Sequence, residues 1–170
     1  MNLFGAWTVP QPLRPGDIYG RPIHRKQMPT QLPPTLQQAY ENALYRVSDA
    51  ADETSAVLKV HRPSPWLKRS FEARQVSCAS FLTACNPWGQ LLPDADNARL
   101  MQQLRQALHT GGWVFSEGLG QDPQGLWPGE ASVLIWGMDA PTARAWGEEW
   151  QQNAVLWCGA DAVPRLLWLR

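Results

Sequence analysis

The chain is predicted to be an α+β domain, and three observations carry that prediction. From residue 77 onward, short apolar runs of strand type alternate with stretches in which apolar residues recur every three or four positions. Glycine, proline and capping residues fall between these stretches, where one element should stop and the next begin. A hydrophobic content of 44% with 18% charged residues over 170 residues suits one core of ordinary size.

The first 34 residues stand apart. They hold seven of the fifteen prolines, with Arg14, Arg21, Arg25 and Lys26 among them, and show no sustained period. Proline denies this stretch both helix and inner-strand pairing, so residues 1–34 read as an extended arm, and 35–170 as one α+β domain. Leu3, Phe4, Trp7, Val9, Ile18, Tyr19 and Ile23 make the arm too apolar for a purely solvated tail. It either lies across the domain or orders on meeting a protein partner.

Thr35 then has the character of an N-cap, and Leu36, Ala39, Tyr40, Ala43, Leu44 and Val47 share one helical face, so a helix is expected through Val47. Ser48 to Ser55 is a polar, acidic turn region. Ala56 to His61 reads as a strand, ended by Pro63 and Pro65. Cys78 to Cys85 is the next strand, and Asn86, Pro87 and Gly89 break it. Asp94 opens a helix whose stripe is Leu100, Met101, Leu104, Ala107 and Leu108, and Gly111 and Gly112 close it. Trp113 to Glu117 is a strand, Gly118 to Gly129 a glycine-rich loop and Ala131 to Met138 a strand buried on both faces. Asp139 with Pro141 opens a helix through about Gln151. Ala154 to Cys158 and Val163 to Leu169 are the last strands. From Cys78 to Cys158 the order is β-α-β-β-α-β, the split β-α-β arrangement of ferredoxin-like domains, in which two helices cover one face of an antiparallel sheet. The remaining elements add an N-terminal helix and strand and a C-terminal strand.

Several function classes are disfavoured. Fifteen basic and fifteen acidic residues cancel, although the first 76 residues carry +4 and the remainder −4. A neutral total argues against nucleic acid, which calls for a concentrated basic face. No segment offers the roughly eighteen uninterrupted apolar residues of a membrane span. Cys78, Cys85 and Cys158 form no CxxC pair, and His24, His61 and His109 are scattered, so neither metal nor cofactor is expected. Free thiols and the lack of a signal-type run point to a cytoplasmic protein. Ten tryptophans should line the core or one interaction face.

Two stretches place polar residues and glycines inside apolar runs: SFLTACNP at Ser80 to Pro87, and GLGQDPQGLWPGEASVLIWG after Glu117. Asn86, before proline, can cap its own turn or reach a ligand, and turn capping is the commoner use. Gly118 and Gly120 lack the third glycine of a dinucleotide fingerprint and the GK[ST] of a P-loop. Their loop is longer than a hairpin requires, which favours a functional role, with Trp127 as its lid or plug. Glu117 and Glu130 flank the loop, and as neighbours they would form a carboxylate pair with separated pKa values. Gln152 and Asn153 either cap the preceding helix or join Asn86 in a polar cluster. The strands next to Asn86 and Asn153 carry their helix connections at opposite ends, which counts against that cluster.

The strings FLTACNP, with Asn97 and Arg99 in the helix beyond it, GLGQDPQGLWPGEAS, and QQNAVLW at Gln151 to Trp157 resemble an uncharacterised bacterial family catalogued as domain of unknown function 3293. The resemblance runs from about Thr35 to the C-terminus and includes the AYENALYRV helix; the arm is not part of it. It implies a small stand-alone bacterial protein and brings no activity with it. The leading expectation is a small-ligand-binding or regulatory module with a pocket near residues 118–129, using Asn86, Asn97, Gly118, Gly120, Trp127, Glu130 and Asn153 for a small polar ligand. The alternatives are a hydrolase or transferase with Glu117 or Glu130 as general base, and an adaptor that grips a protein through residues 1–34 and a tryptophan surface.

Overall fold

The computed structural model describes residues 32–49, 54–125 and 129–170. The arm over residues 1–31 and Trp127 lie outside them. Among the described residues, four α-helices and seven strands form a mixed helix and sheet structure. In chain order the elements are α1 (Pro34–Asn42), β1 (Leu44–Asp49), β2 (Thr54–Leu58), α2 (Pro65–Arg74) and β3 (Ala79–Leu82), then a 3-10 turn at Pro87–Gly89. They continue with α3 (Asp94–Thr110), β4 (Phe115–Gln121), β5 (Glu130–Trp136), α4 (Ala140–Glu149), β6 (Ala154–Cys158) and β7 (Pro164–Trp168).

All seven strands join one antiparallel sheet in the order β2-β1-β4-β5-β3-β6-β7. The expected β-α-β-β-α-β succession is present as β3, α3, β4, β5, α4 and β6. Each face of the sheet has its own core. Leu100, Met101, Leu104 and Leu108 of α3 and Ala143 of α4 pack with Leu82, Val133, Ile135 and Val155. On the other face Leu67 and Phe71 of α2 meet Tyr45, Val47, Phe81, Leu134, Trp136 and Leu156. β5 is therefore sandwiched, and Val133, Leu134 and Ile135 are all fully buried, as its unbroken apolar run foretells.

Two expectations at the N-terminal side are corrected. The helix expected through Val47 ends at Asn42, because Ala43 takes extended dihedrals (φ −59°, ψ 151°) and the chain enters β1. Ala43, Tyr45, Val47 and Asp49 are buried while Arg46 and Ser48 are exposed, a period of two that overlaps the period of 3.6 for one turn. Helix α2 was not expected at all. Its start was written in the sequence: Ser64 caps it by accepting the Leu67 N–H at 3.2 Å, and Pro65 occupies the first turn. It buries only Leu67, Ser70 and Phe71, too few to announce a stripe.

The glycine-rich loop is also shorter than expected. Gly118 and Gly120 lie inside β4, opposite Ser132 and Glu130. Gly118 serves packing, since a Cβ there would stand 2.5 Å from the Phe81 ring. Without one, Phe81 lies across the sheet and meets the Tyr45 ring edge-to-face at 5.4 Å. Gly120 sits in register between Tyr45 of β1 and Glu130 of β5.

Candidate functional site

The site lies where β3 ends and β5 and β6 begin. β3 and β6 pair antiparallel, Phe81 facing Leu156, so the exit of β3 toward Asn86 is next to the entry of β6 after Asn153. The opposite-ends argument from the sequence is thereby overturned. Asn86, Asn97, Glu130 and Asn153 do converge.

Asn86 is the centre of this arrangement. It takes a left-handed backbone (φ 49°), which asparagine tolerates better than most residues. Its Oδ1 accepts the Leu92 N–H at 2.9 Å and an Asn97 Nδ2 hydrogen at 3.0 Å, and its backbone N–H donates to Asn97 Oδ1 at 2.9 Å. Its Nδ2 donates to Glu130 Oε1 at 2.6 Å. The turn-capping role and the ligand role are thus compatible: one end of the amide builds the turn while the other orients a carboxylate.

Two cavities flank the Asn86–Glu130 contact, and both are lined by Asn86, Glu130 and the exposed Leu91. The first, about 200 Å³, is closed by Leu36, Ala39 and Tyr40 of α1 together with Ala43, Tyr45, Gly89 and Asn153. The second, about 240 Å³, adds Cys85, Leu92, Asp94, Asn97 and Ala131 on the α3 side. In the first cavity Asn153, only 1% exposed, donates from Nδ2 to the Tyr40 hydroxyl at 3.2 Å, while its Oδ1 meets no partner among the described residues. Tyr40 also stacks edge-to-face on Trp168 at 5.7 Å, and its carbonyl accepts the Tyr45 hydroxyl at 2.8 Å.

Burial pushes the Glu130 carboxyl above its ordinary value, and the Asn86 hydrogen bond only partly opposes this. The Glu130 charge in turn adds to the burial that raises the Tyr40, Tyr45 and Cys85 hydroxyl and thiol values. A raised folded value means the folded protein holds this proton more tightly than the unfolded chain does. Stability contributed by Glu130 is therefore present below about 4.5 and is lost as pH rises through the folded value. Glu130→Gln removes that loss. The melting temperature of the variant is expected to gain on the wild type between pH 4 and pH 8, as ionisation of the buried carboxyl progresses. A difference that stays constant across this range would refute the assignment.

The proposed Glu117–Glu130 pair does not form. Glu117 stands opposite Val133 and Glu130 opposite Gly120, so the alternation of β5 sends the two carboxylates to opposite faces of the sheet. Both Glu117 oxygens are held by Arg105 of α3, at 2.8 and 2.7 Å. Gly118 is committed to Phe81, and Gly120, though paired with Tyr45 and Glu130, does not line the first cavity. Sequence reading missed Tyr40, Tyr45, Gly89 and Leu91. The stripe that held Tyr40 looked wholly structural, and Tyr45 belonged to a strand hidden inside an expected helix.

The three cysteines are free thiols, Cys85 and Cys158 buried. Among the described residues no group of three or more His, Cys, Asp or Glu side chains could hold a metal ion, and no helix is long and apolar enough to cross a membrane.

No curated protein and no solved structure matches the chain. A family model matches from the exit of β3 through α3, β4, β5 and α4 to the start of β6, and so takes in Asn86, Asn97, Glu130 and Asn153 while leaving out α1, β1, β2 and α2. Residues 82–155 match the family described as protein of unknown function (DUF3293), which is the family that the FLTACNP, GLGQDPQGLWPGEAS and QQNAVLW strings resemble.

Proposed function

We propose that the protein is a small-ligand-binding module, and that its ligand occupies the cavity between α1 and the ends of β3, β5 and β6. The observation that carries this reading is the convergence of Asn86, Glu130, Asn153 and Tyr40, from four separate stretches of chain, on one cavity with apolar walls. A mostly apolar hollow with a few oriented polar groups is what small-molecule sites have in common. The scaffold reads best as a ferredoxin-like core, with β4-β5-β3-β6 at its centre and α3 and α4 on one face, extended by β1, β2 and β7. A cytoplasmic location and a bacterial source fit the free thiols and the resemblance.

Screening the purified protein against nucleotides and metabolites by thermal shift tests this reading. Ala39→Trp serves as the control, because Ala39 faces the cavity from α1 and the indole would fill it. Ligands that raise the melting temperature of the wild type and leave the variant unmoved support the proposal. A screen in which every shift survives in Ala39→Trp removes it.

A second reading, a hydrolase or transferase with Glu130 as general base, draws on the raised carboxyl and its position on a cavity. Glu117, tied to Arg105, no longer contributes to it. The adaptor reading rests on the arm, whose residues 1–31 lie outside the described residues, and on a tryptophan surface.

A further inference from the structure

The binding reading leaves the chemistry of the ligand open, and the lining residues narrow it. Glu130 joins none of the ion pairs Arg74–Asp49, Arg99–Asp96, Arg105–Glu117 and Arg165–Asp161. One of its oxygens is taken by Asn86, and no described residue donates to the other. Arg170, which also lies at this end of the sheet, donates to the Trp88 carbonyl at 3.0 Å and stacks over the Trp88 ring. A half-buried carboxylate without a cation beside it is costly to keep ionised, and a positive ligand relieves that cost.

Asn153 asks for the same partner, whereas Arg170, near enough to Tyr40 for its charge to act on that hydroxyl, holds two buried N–H groups without an acceptor among the described residues. Asn153 Oδ1 is an acceptor on a side chain that is 1% exposed, and no described residue donates to it. A protonated amine brings up to three N–H donors, enough to serve Glu130 and Asn153 together. Tyr40 and Tyr45 add aromatic rings to the lining, and the faces of such rings attract cations. Leu36, Ala39, Ala43 and Leu91 complete a wall suited to a small apolar body. The volume of about 200 Å³ somewhat exceeds the ~150 Å³ of a cavity that accommodates benzene.

We propose that this cavity takes a small ligand with a cationic nitrogen, an aryl or short alkyl amine, whose N–H groups meet the Glu130 carboxylate and the Asn153 amide oxygen. The inference rests on the pocket reading above and adds the charge class.

Three probes of one shape separate the possibilities: benzylamine, benzyl alcohol and benzoate, titrated into the full chain at pH 7 with ligand-observed NMR. Benzylamine is expected to bind at least about tenfold more tightly than either of the others, the scale of one charge-assisted contact. Glu130→Gln keeps an acceptor for Asn86 and should erase that preference, and Ala39→Trp should abolish binding. If benzyl alcohol or benzoate binds as well as benzylamine and Ala39→Trp abolishes it, the charge class is wrong and the pocket reading stands. If none of the three binds at millimolar concentration in a way that Ala39→Trp removes, the amine proposal is overturned, and the pocket reading is decided by the thermal-shift screen. The wild-type comparison decides the charge class even if a variant fails to fold.

Discussion

Arg74→Ala is expected to lower the unfolding free energy by about 4 kcal/mol, the range found when one partner of a buried ion pair is removed. Arg74 closes α2, and its guanidinium bonds the carboxylate of Asp49, which is 4% exposed at the end of β1. The same guanidinium lies over the Trp136 ring at 4.5 Å, and that ring also meets Trp66 and Phe71 of α2. The substitution therefore takes a cation from a carboxylate that water barely reaches and strips a covering plane from a buried indole at once. Arg74→Lys should fall between wild type and Ala, because it keeps the charge and loses the flat fork that serves both contacts. Urea unfolding measures the series. A loss for Arg74→Ala below about 1 kcal/mol, the range of surface pairs, would show that water screens this contact.

Asn86→Ala is expected to cost about 3 kcal/mol from two sources: polar groups left without partners, and an alanine held in left-handed backbone that asparagine tolerates better. The Leu92 N–H and the Asn97 amide lose their shared acceptor, and Glu130 loses its donor. Asn86→Gly separates the two sources, since glycine takes φ 49° without strain and removes the same hydrogen bonds. It should recover roughly 1 kcal/mol of the loss. Equal costs for the two variants would refute the backbone contribution. Asn86→Asp keeps the two acceptor roles and sets a second carboxylate beside Glu130, so its penalty should grow with pH.

The sequence announced the regular part of this fold well. From Ala79 to Trp168 every expected helix and strand exists: α3 buries a long stripe and β5 an unbroken apolar run, while α4, which buries only Ala143 and Gly147, is announced by its Asp139 cap and Pro141. Between Thr35 and Arg74 two features hid the structure. The last turn of α1 and the first residues of β1 share apolar positions that fit either period, and α2 turns only three residues inward. Asn86 and Glu130 were legible as polar residues at the borders of apolar runs. Their meeting was not, since it depends on the antiparallel register of β3 with both β5 and β6, which brings together residues 44 positions apart. The Glu117–Glu130 pair failed for the converse reason: closeness along a hairpin says nothing of which face each side chain takes, and an odd offset in register separates them.

Helix α1 has nine residues, none of them buried, and it is the roof of the first cavity. Helices this short hold together only through what they pack against, and α1 is tied down mainly through Tyr40, by Asn153 and Trp168 on one side and Tyr45 on the other. Lifting it breaks few apolar contacts and leaves both cores closed. Such an element belongs to the fast-opening end of a protein's local unfolding spectrum, where opening costs far less than global unfolding. For the ligand proposed above, an occupied cavity that holds the Tyr40 ring in place would slow the lifting of α1 and so lengthen residence.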